Sequence, residues 1–417
     1  MARKGSSMTV ETKRFSISIS LLLAVLMVAR FSCIALSNFP LMSMKFVFVY
    51  GIMFLGAFVL ENNRISKHEF ICFGFLFTYV FIVFMKTVLD MGNLFNTEAF
   101  NAYVLLFLFF IYMYIKRISI KNKKRIFAVA IVGFAFTYLY SIKWLSVDPN
   151  LSRKAAANIK AGQGVDTLNA IGGFDTVYGS VLVVIILLFL YKLLSNKWKK
   201  VVCCFLIISS IVFIIMASYG TAIVLLVIAL SLWMMQTNRV LGGVMLGLFI
   251  LVAVNHVDMG AMIRQWSQKI DYSDMLAQKM NEIGYILQTG EAAGTLAGDE
   301  GRLARMGWSV ETFLKYPIFG AYGKSNALIG YHSELFDSLA KFGVVGFIPL
   351  FMFFVYFFKD IYSGLKTVEG KRCCILVGII YVVIAILNPS LYTQQVLPLF
   401  ILLPICESFT LKNKEKG

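Results

Sequence analysis

The chain has 417 residues, of which 59% are hydrophobic and 15% charged, and its formal net charge is +17. A soluble globular protein carries nearer ~25% charged residues, so the apolar surface is too large for a fold that faces water on every side. The cations fall in short clusters between apolar runs, and the mean hydropathy is +0.78. This pattern favours a membrane protein and argues against a nucleic-acid-binding protein.

Apolar runs long enough to cross a bilayer recur along the whole chain. Because a spanning helix needs ~20 mostly apolar residues, these runs predict an all-α, polytopic membrane protein with about twelve transmembrane helices. They lie near 15–36, 40–60, 69–88, 98–115, 125–145, 174–194, 199–217, 219–236, 239–257, 344–358, 373–389 and 393–410. No small-residue cleavage site follows the first run, so we expect it to be a retained helix rather than a signal peptide.

Basic residues cluster in every second gap between these predicted spans. Cytoplasmic loops of membrane proteins carry an excess of Lys and Arg. The pattern therefore predicts that both termini lie in the cytoplasm and that the alternate gaps face outward. The clustered cations are Arg3, Lys4, Lys13, Arg14, Arg64, Lys67, Lys116, Arg117, Lys121, Lys123, Lys124, Arg125, Lys192, Lys197, Lys199, Lys200, Arg239, Lys359, Lys366, Lys371, Arg372, Lys412, Lys414 and Lys416.

The longest outward gap divides the chain into three parts. Residues 1–257 carry the first nine predicted spans, and residues 344–417 carry the last three with a cytoplasmic tail. Residues 258–343 between them form one large outer loop. We expect this loop to carry the functional residues, because surface loops held by a rigid scaffold are frequent sites of binding and catalysis.

The outer loop is not linker-like. Apolar residues recur at helical spacing over 272–287 and again over 302–316, and Pro317 ends the second stretch. We expect amphipathic helices here, lying on the membrane surface or on the other helices. An irregular stretch rich in Gly, Ser and Asn follows, and a third helix is expected to begin near His332 and run into the next span.

Three residues of this loop could do chemistry. His332 follows the Gly-rich stretch, and a histidine titrates near neutral pH and can accept a proton from a hydroxyl; the alternative is a structural histidine. Arg302 and Arg305 share one edge of their helix, and guanidinium groups bind diphosphate oxygens in a bidentate manner. The alternative is that both arginines contact anionic lipid head groups without specificity.

Four further cations lie near the outer ends of their predicted spans, against the topology rule: Arg30, Lys45, Lys86 and Lys143. Charge within a membrane is costly and often functional, so they could form a pocket for an anionic ligand at the outer leaflet. The alternative is that each one snorkels to the interface. No DxD or HExxH motif occurs, so the sequence predicts neither a metal nor another cofactor.

A set of small motifs in residues 301–346 resembles the signature region of the O-antigen ligase/polymerase superfamily. An Arg opens a helix, an aromatic residue follows, and then come a Pro-x-x-Gly turn, a Gly-rich segment, a His-Ser pair and a closing Gly-x-x-Gly. These elements are Arg302, Trp308, Pro317, Gly320, Gly323, His332, Ser333, Gly343 and Gly346. Two features depart from the pattern: Trp308 is slightly farther from Arg302 than usual, and Tyr219 stands in Ser218-Tyr219-Gly220 where the family often has an Arg beside Gly.

The resemblance implies a GT-C-like glycosyltransferase in the bacterial inner membrane, with its active site on the outer face. Ser after the histidine favours an O-antigen polymerase, which moves a growing glycan from undecaprenyl diphosphate to a hydroxyl of a lipid-linked repeat unit. The implied partners are that lipid-linked oligosaccharide, membrane lipid and a chain-length regulator protein, with no nucleic acid.

The implied roles fall on residues that match the motif. His332 and Arg302 would be catalytic. Arg302, Arg305, Arg30 and Lys45 would bind the diphosphate. The supporting residues are Tyr331, Ser333, Glu334, Tyr219, Gly320 and Gly323, and Glu334 could instead be a helix-start charge.

Three other functions stay open from the sequence. A ligase of the same superfamily would transfer the finished polymer to a lipid A-core acceptor. A lipid-linked oligosaccharide flippase or another transporter would show paired repeats with broken midplane helices, and the sequence has no such signal. The third alternative is a purely structural membrane protein.

Overall fold

The computed structural model describes residues 5–61, 64–91, 96–148, 151–152, 170–217, 219–269, 277, 280–281, 284–285, 287–288, 302–324 and 326–409. For residues 5–18, 89–91, 249, 252–253 and 302–303 the structure describes the backbone and not the side chains. The described residues form helices joined by turns and contain no strand.

The helices are α1 (Gly5–Ser32), α2 (Met44–Leu60), α3 (Lys67–Met91), α4 (Thr97–Arg117), α5 (Ile120–Leu145), α6 (Phe174–Leu193), α7 (Lys197–Ala217), α8 (Gly220–Thr237), α9 (Arg239–Val254), α10 (His256–Gln268), α11 (Arg302–Lys315), α12 (Glu334–Gly364), α13 (Val368–Leu387) and α14 (Thr393–Phe409).

Eight of these helices, α3 to α8 with α12 and α13, are long and apolar enough to cross a membrane. This confirms the predicted all-α, polytopic membrane architecture. Shorter apolar helices lie at the four remaining predicted spans, at Ile19–Ser32, Met44–Leu60, Arg239–Leu248 and Thr393–Phe409. The count of twelve crossings stays a prediction.

Helices α4, α6 and α14 form the centre of the bundle. In the apolar stretch of α4, 83% of the residues are buried, and in that of α6 the share is 78%. The corresponding share in α8 is only 28%. Helix α14 packs against both of them and against α5, and its residues from Val396 to Leu403 are inaccessible. These helices are apolar all round, which fits a position enclosed by other helices.

Acidic and basic side chains join the helices at one end of the bundle. Lys116 and Arg117, at the end of α4, pair with Glu69 at the start of α3, with N–O distances of 3.0 and 2.7 Å. Lys116 also lies 2.7 Å from Asp360 near the end of α12. At the end of α14, the carboxylate of Glu407 accepts from the backbone between α12 and α13. We call this the basic end.

The opposite end brings together the starts of α4 and α12 and the turn after α13. The amide of Glu334 donates to the carbonyl of Asn388 at 3.1 Å. The side chain of Asn96, which caps α4, donates to the hydroxyl of Tyr322 at 3.1 Å. We call this the site end, and α4 and α12 both run from it to the basic end.

The outer-loop predictions meet the structure in part. Helix α11 covers the predicted amphipathic stretch of 302–316, and α12 starts two residues after His332 with Ser333 as its N-cap. The predicted span of 344–358 is therefore much shorter than α12. The predicted helix over 272–287 falls largely outside the described residues, of which 277, 280–281, 284–285 and 287 are helical.

Candidate functional site

The site is built around a break in α12 at Gly343, where the backbone has φ 63° and ψ −168°. The break leaves carbonyl groups of the first segment without helical partners. The amide of Ala321 donates to the carbonyl of Ala340 at 2.8 Å, and the amide of Tyr322 donates to that of Lys341 at 3.0 Å. The turn after α11 therefore replaces the missing helical bonds.

The same turn also accepts hydrogen bonds from the first amides of the helix segment after the break. The amide of Val344 donates to the carbonyl of Pro317 at 2.8 Å, and the amide of Val345 donates to that of Ile318 at 3.1 Å. The Pro-x-x-Gly turn and the Gly-x-x-Gly segment of the sequence thus bind each other through their backbones.

Two glycines make this approach possible. A β-carbon at Gly320 would overlap the carbonyl oxygen of Lys341, and one at Gly343 would overlap that of Ile318. Both residues also have positive φ, of 68° and 63°, which side chains disfavour. The supporting role predicted for Gly320 therefore has a steric basis in the structure.

Asp337 in the first turn of α12 ties α11 to the loop before α12. The hydroxyl of Ser309 donates to Asp337 Oδ1 at 2.6 Å, and the amide of Ser333 donates to Oδ2 at 2.9 Å. Ser309 also accepts from the amide of Gly330 at 2.9 Å. All of these groups are buried, so the carboxylate fixes both ends of the 330–333 segment.

Arg305 and His332 meet beside this network. Arg305 Nη1 lies 3.1 Å from His332 Nε2. A β-carbon at Gly330 would overlap the backbone carbonyl of Arg305, so glycine lets the loop lie directly on α11. Tyr331 between them has a φ of 55°, which non-glycine residues rarely adopt. The 3.1 Å contact joins two of the residues that the sequence singled out.

The partner of His332 determines its tautomer. A guanidinium group donates hydrogen bonds and cannot accept them, so we assign the lone pair of the imidazole to Nε2 and the proton to Nδ1. In this arrangement the imidazole is neutral. Its basic nitrogen is occupied by Arg305.

A buried ion pair that the sequence did not indicate lies close by. Lys341 Nζ is 2.6 Å from Glu98 Oε1 in the first turn of α4, and the two side chains are 7% and 22% exposed. The ammonium also lies 4.5 Å from the centre of the Tyr331 ring. Burial raises the pKa of the Tyr331 phenol. Lys341 thus links α4 to the residue beside His332.

The carboxylate of Glu334 holds the turn after α13. It accepts from the hydroxyl of Ser338 at 2.7 Å and from the amides of Ser390 and Leu391 at 3.0 and 3.3 Å. Glu334 is also the first helical residue of α12, where a negative charge is favoured. These contacts fit a helix-start charge that positions a neighbouring turn.

Arg302 begins α11, and its side chain lies outside the described residues. Arg30 donates from Nε to the carbonyl of Met42 at 2.8 Å, in the segment that joins α1 to α2. Lys45 is exposed in the first turn of α2. The contacts described for Arg30 are thus local to α1 and α2, and the diphosphate role of these three residues stays a prediction.

The remaining predicted residues lie at turns. Tyr219 precedes α8, and its hydroxyl donates to the carbonyl of Ser152 at 3.4 Å. Gly323 has a φ of 83° in the exposed turn after α11. Ser333 caps α12 by accepting from the amide of Phe336 at 3.3 Å. These contacts show that Ser333 caps a helix and that the side chain of Tyr219 reaches Ser152, which precedes α6 in the chain.

No family model and no curated protein matches this chain. The chemistry open to the site therefore follows from its own groups. A guanidinium and an imidazole are in contact at the end of the bundle away from the basic loops, and the Lys341–Glu98 ion pair contacts the adjacent Tyr331. The first can bind a phosphate group and the second can accept a proton.

Proposed function

We propose that this protein is a polysaccharide polymerase that transfers a growing glycan from undecaprenyl diphosphate to a hydroxyl of a lipid-linked repeat unit. The contact between Arg305 and His332 is the observation that carries the proposal. It combines a phosphate-binding group with a proton acceptor on a loop and helix at one end of a membrane bundle.

The proposal includes a topology of twelve spans, with both termini in the cytoplasm of a bacterium and the site end on the outer face of the inner membrane. The cations that gather at the basic end support this orientation, because positive loops stay in the cytoplasm. Helix α11 and the 330–333 segment then lie in a GT-C-like outer loop.

The reaction balances without a nucleotide sugar. The acceptor hydroxyl oxygen forms a bond to the anomeric carbon of the donor glycan, and the bond from that carbon to the diphosphate oxygen breaks. The hydroxyl proton passes to His332 Nε2. Undecaprenyl diphosphate leaves with its negative charge stabilised by Arg305, and Arg302 is proposed to share this task from the start of the same helix.

The contact between Arg305 and His332 suggests an order of events. While Arg305 donates to His332 Nε2, the imidazole cannot accept a proton there. A bound diphosphate draws the guanidinium away by charge-assisted hydrogen bonds. The Nε2 lone pair is therefore free only when the lipid-linked glycan donor is bound. His332 can then act as a base at the moment when the diphosphate leaving group is in place.

The test is to incubate the purified protein in lipid nanodiscs with synthetic undecaprenyl-diphosphate repeat units and to look for a ladder of products. We expect Arg305→Ala and His332→Ala to reduce chain extension by at least about 100-fold, the scale of lost acid–base catalysis. Arg125→Ala and His68→Ala at the basic end are matched controls and should leave the ladder unchanged.

The outcomes separate the candidate functions. A full ladder from both site variants, at unchanged protein level, would contradict the proposal. Transfer of a finished polymer to an added lipid A-core acceptor, without a ladder, would indicate a ligase. Movement of the lipid-linked unit across the bilayer without any new glycosidic bond would indicate a transporter.

A further inference from the structure

A groove opens at the basic end between α5 and α7, and its volume is about 320 Å³. Its floor and walls are apolar, with Phe127 from α5, Leu190 from α6 and Leu206 from α7. Two cations, Lys124 of α5 and Lys199 of α7, line it as well. We call this the lysine groove.

The groove extends from the basic end toward the middle of the bundle. Its lining on α5 runs from Lys124 to Ile131, which is ~10 Å along a helix axis. The hydrocarbon core of a bilayer is ~30 Å thick, so each leaflet contributes about half of that depth. The groove, including its lysine, therefore spans roughly two thirds of the depth of one leaflet, over which an acyl chain extends.

The rim of the groove carries the features of a head-group region. The ammonium group of Lys124 lies 5.3 Å from the centre of the Phe409 ring, and Lys199 is exposed in the first turn of α7. Trp198 beside it is 80% exposed, and Trp is typical of the membrane interface.

A second groove gives an internal comparison. It has a volume of about 510 Å³ and lies between α1 and α5 toward the site end, where Leu36, Val132 and Phe136 are among its lining residues. All of its described lining side chains are apolar or Cys33. An acyl chain could enter either groove, but only the lysine groove offers positive charge at its mouth.

We infer that the lysine groove binds an anionic phospholipid of the membrane. One acyl chain lies along Phe127, Ile131 and Leu206, and the head-group phosphate is bound by Lys124 and Lys199. Basic pockets between transmembrane helices favour anionic head groups in this way. This inference needs only a membrane around the bundle and is independent of the proposed glycan chemistry.

The test measures quenching of Trp198 by brominated lipids on the full chain in detergent micelles. The signal of Trp198 is the fluorescence difference between each protein and its Trp198→Phe form. We expect brominated phosphatidylglycerol to bind up to about thirtyfold more tightly than brominated phosphatidylcholine, the effect of two lysines near a head group. Lys124→Gln with Lys199→Gln should reduce that preference to less than about threefold.

The matched control is Lys121→Gln with Lys197→Gln, which removes two exposed lysines from the same two helices outside the groove. It should keep most of the preference. Equal binding of the two lipids to the unmodified protein would overturn the inference. So would an equal loss in the control pair, because that result would assign the effect to diffuse surface charge.

Discussion

At the basic end the ion pairs share partners, whereas at the site end the buried ammonium of Lys341 is paired with the partly buried carboxylate of Glu98. Glu69 contacts both Lys116 and Arg117, and the side chain of Lys116 is 34% exposed. The basic end can therefore lose Lys116 and keep a partner for each carboxylate, Arg117 for Glu69 and the hydroxyl of Tyr112 for Asp360. At the site end, the described ion pairs give Glu98 no second cation to replace Lys341. We therefore expect single substitutions there to lower stability more than those at the basic end.

The largest expected effect comes from the break in α12. Gly343→Ala places a side chain at positive φ and against the carbonyl of Ile318, at a combined cost of about 4 kcal/mol from backbone strain and overpacking. A β-carbon at Gly364, at the basic end of the same helix, has open space around it. Gly364→Ala is the control and should change stability by less than about 1 kcal/mol.

The thermal unfolding midpoint of the purified protein measures this difference. A Gly343→Ala protein as stable as the Gly364→Ala protein would show that the turn at Pro317–Gly320 adapts without strain. In that case the break would not be the rigid element that holds the loop.

A smaller effect is expected from removing one cation at each end. Lys341→Met leaves Glu98 without its ammonium partner and should cost about 3 kcal/mol. Lys116→Met should cost less than about 1 kcal/mol, because Arg117 still pairs with Glu69, and the hydroxyl of Tyr112 still donates to Asp360 at 2.6 Å.

Thermal unfolding checks this prediction, and a double variant sharpens it. Adding Glu98→Gln to Lys341→Met should recover part of the loss, because the uncompensated carboxylate is then neutral. Equal losses from Lys341→Met and Lys116→Met would remove the contrast between the two ends.

The smallest effect concerns one hydroxyl. Ser309→Ala removes a donor to the Asp337 carboxylate and the acceptor for the amide of Gly330, so we expect a loss of about 2 kcal/mol. Ser363 near the basic end donates to the backbone carbonyl of Asp360 at 2.9 Å, and Ser363→Ala should be close to neutral. Protection of the Gly330 amide from hydrogen exchange should fall in the first variant and stay unchanged in the second.

The positions of the helices along the chain could be predicted because apolar runs, caps and charges at helix ends are local features of the sequence. Helix α4 lies within two residues of its predicted range, since an apolar run there is bounded by a polar cap at Asn96 and by cations at Lys116 and Arg117. The helix expected to begin near His332 and run into the next span is α12, although its apolar span was placed only at 344–358 because the preceding turns carry Glu334, Asp337 and Lys341.

The site could be predicted only where a motif marked it. Arg305 was singled out by its spacing from Arg302 and His332 by its place after the Gly-rich stretch, but their contact depends on how the loop folds onto α11. The Lys341–Glu98 pair joins residues 243 apart in sequence, and no local pattern reports such a pairing. Arg30 was singled out by its place near the outer end of a span, and its hydrogen bond to the carbonyl of Met42 could not be predicted because the acceptor is a backbone group.

The central position of α14 has a consequence for biosynthesis. Helices α4 and α6 bury most of their surface against other helices, yet α14 is the last of the three to be made. At about 5–20 residues per second, α4 leaves the ribosome many seconds before Thr393 does. Until then α4 and α6 lack the helix that packs against both of them, so assembly of the bundle is completed only after translation of α14.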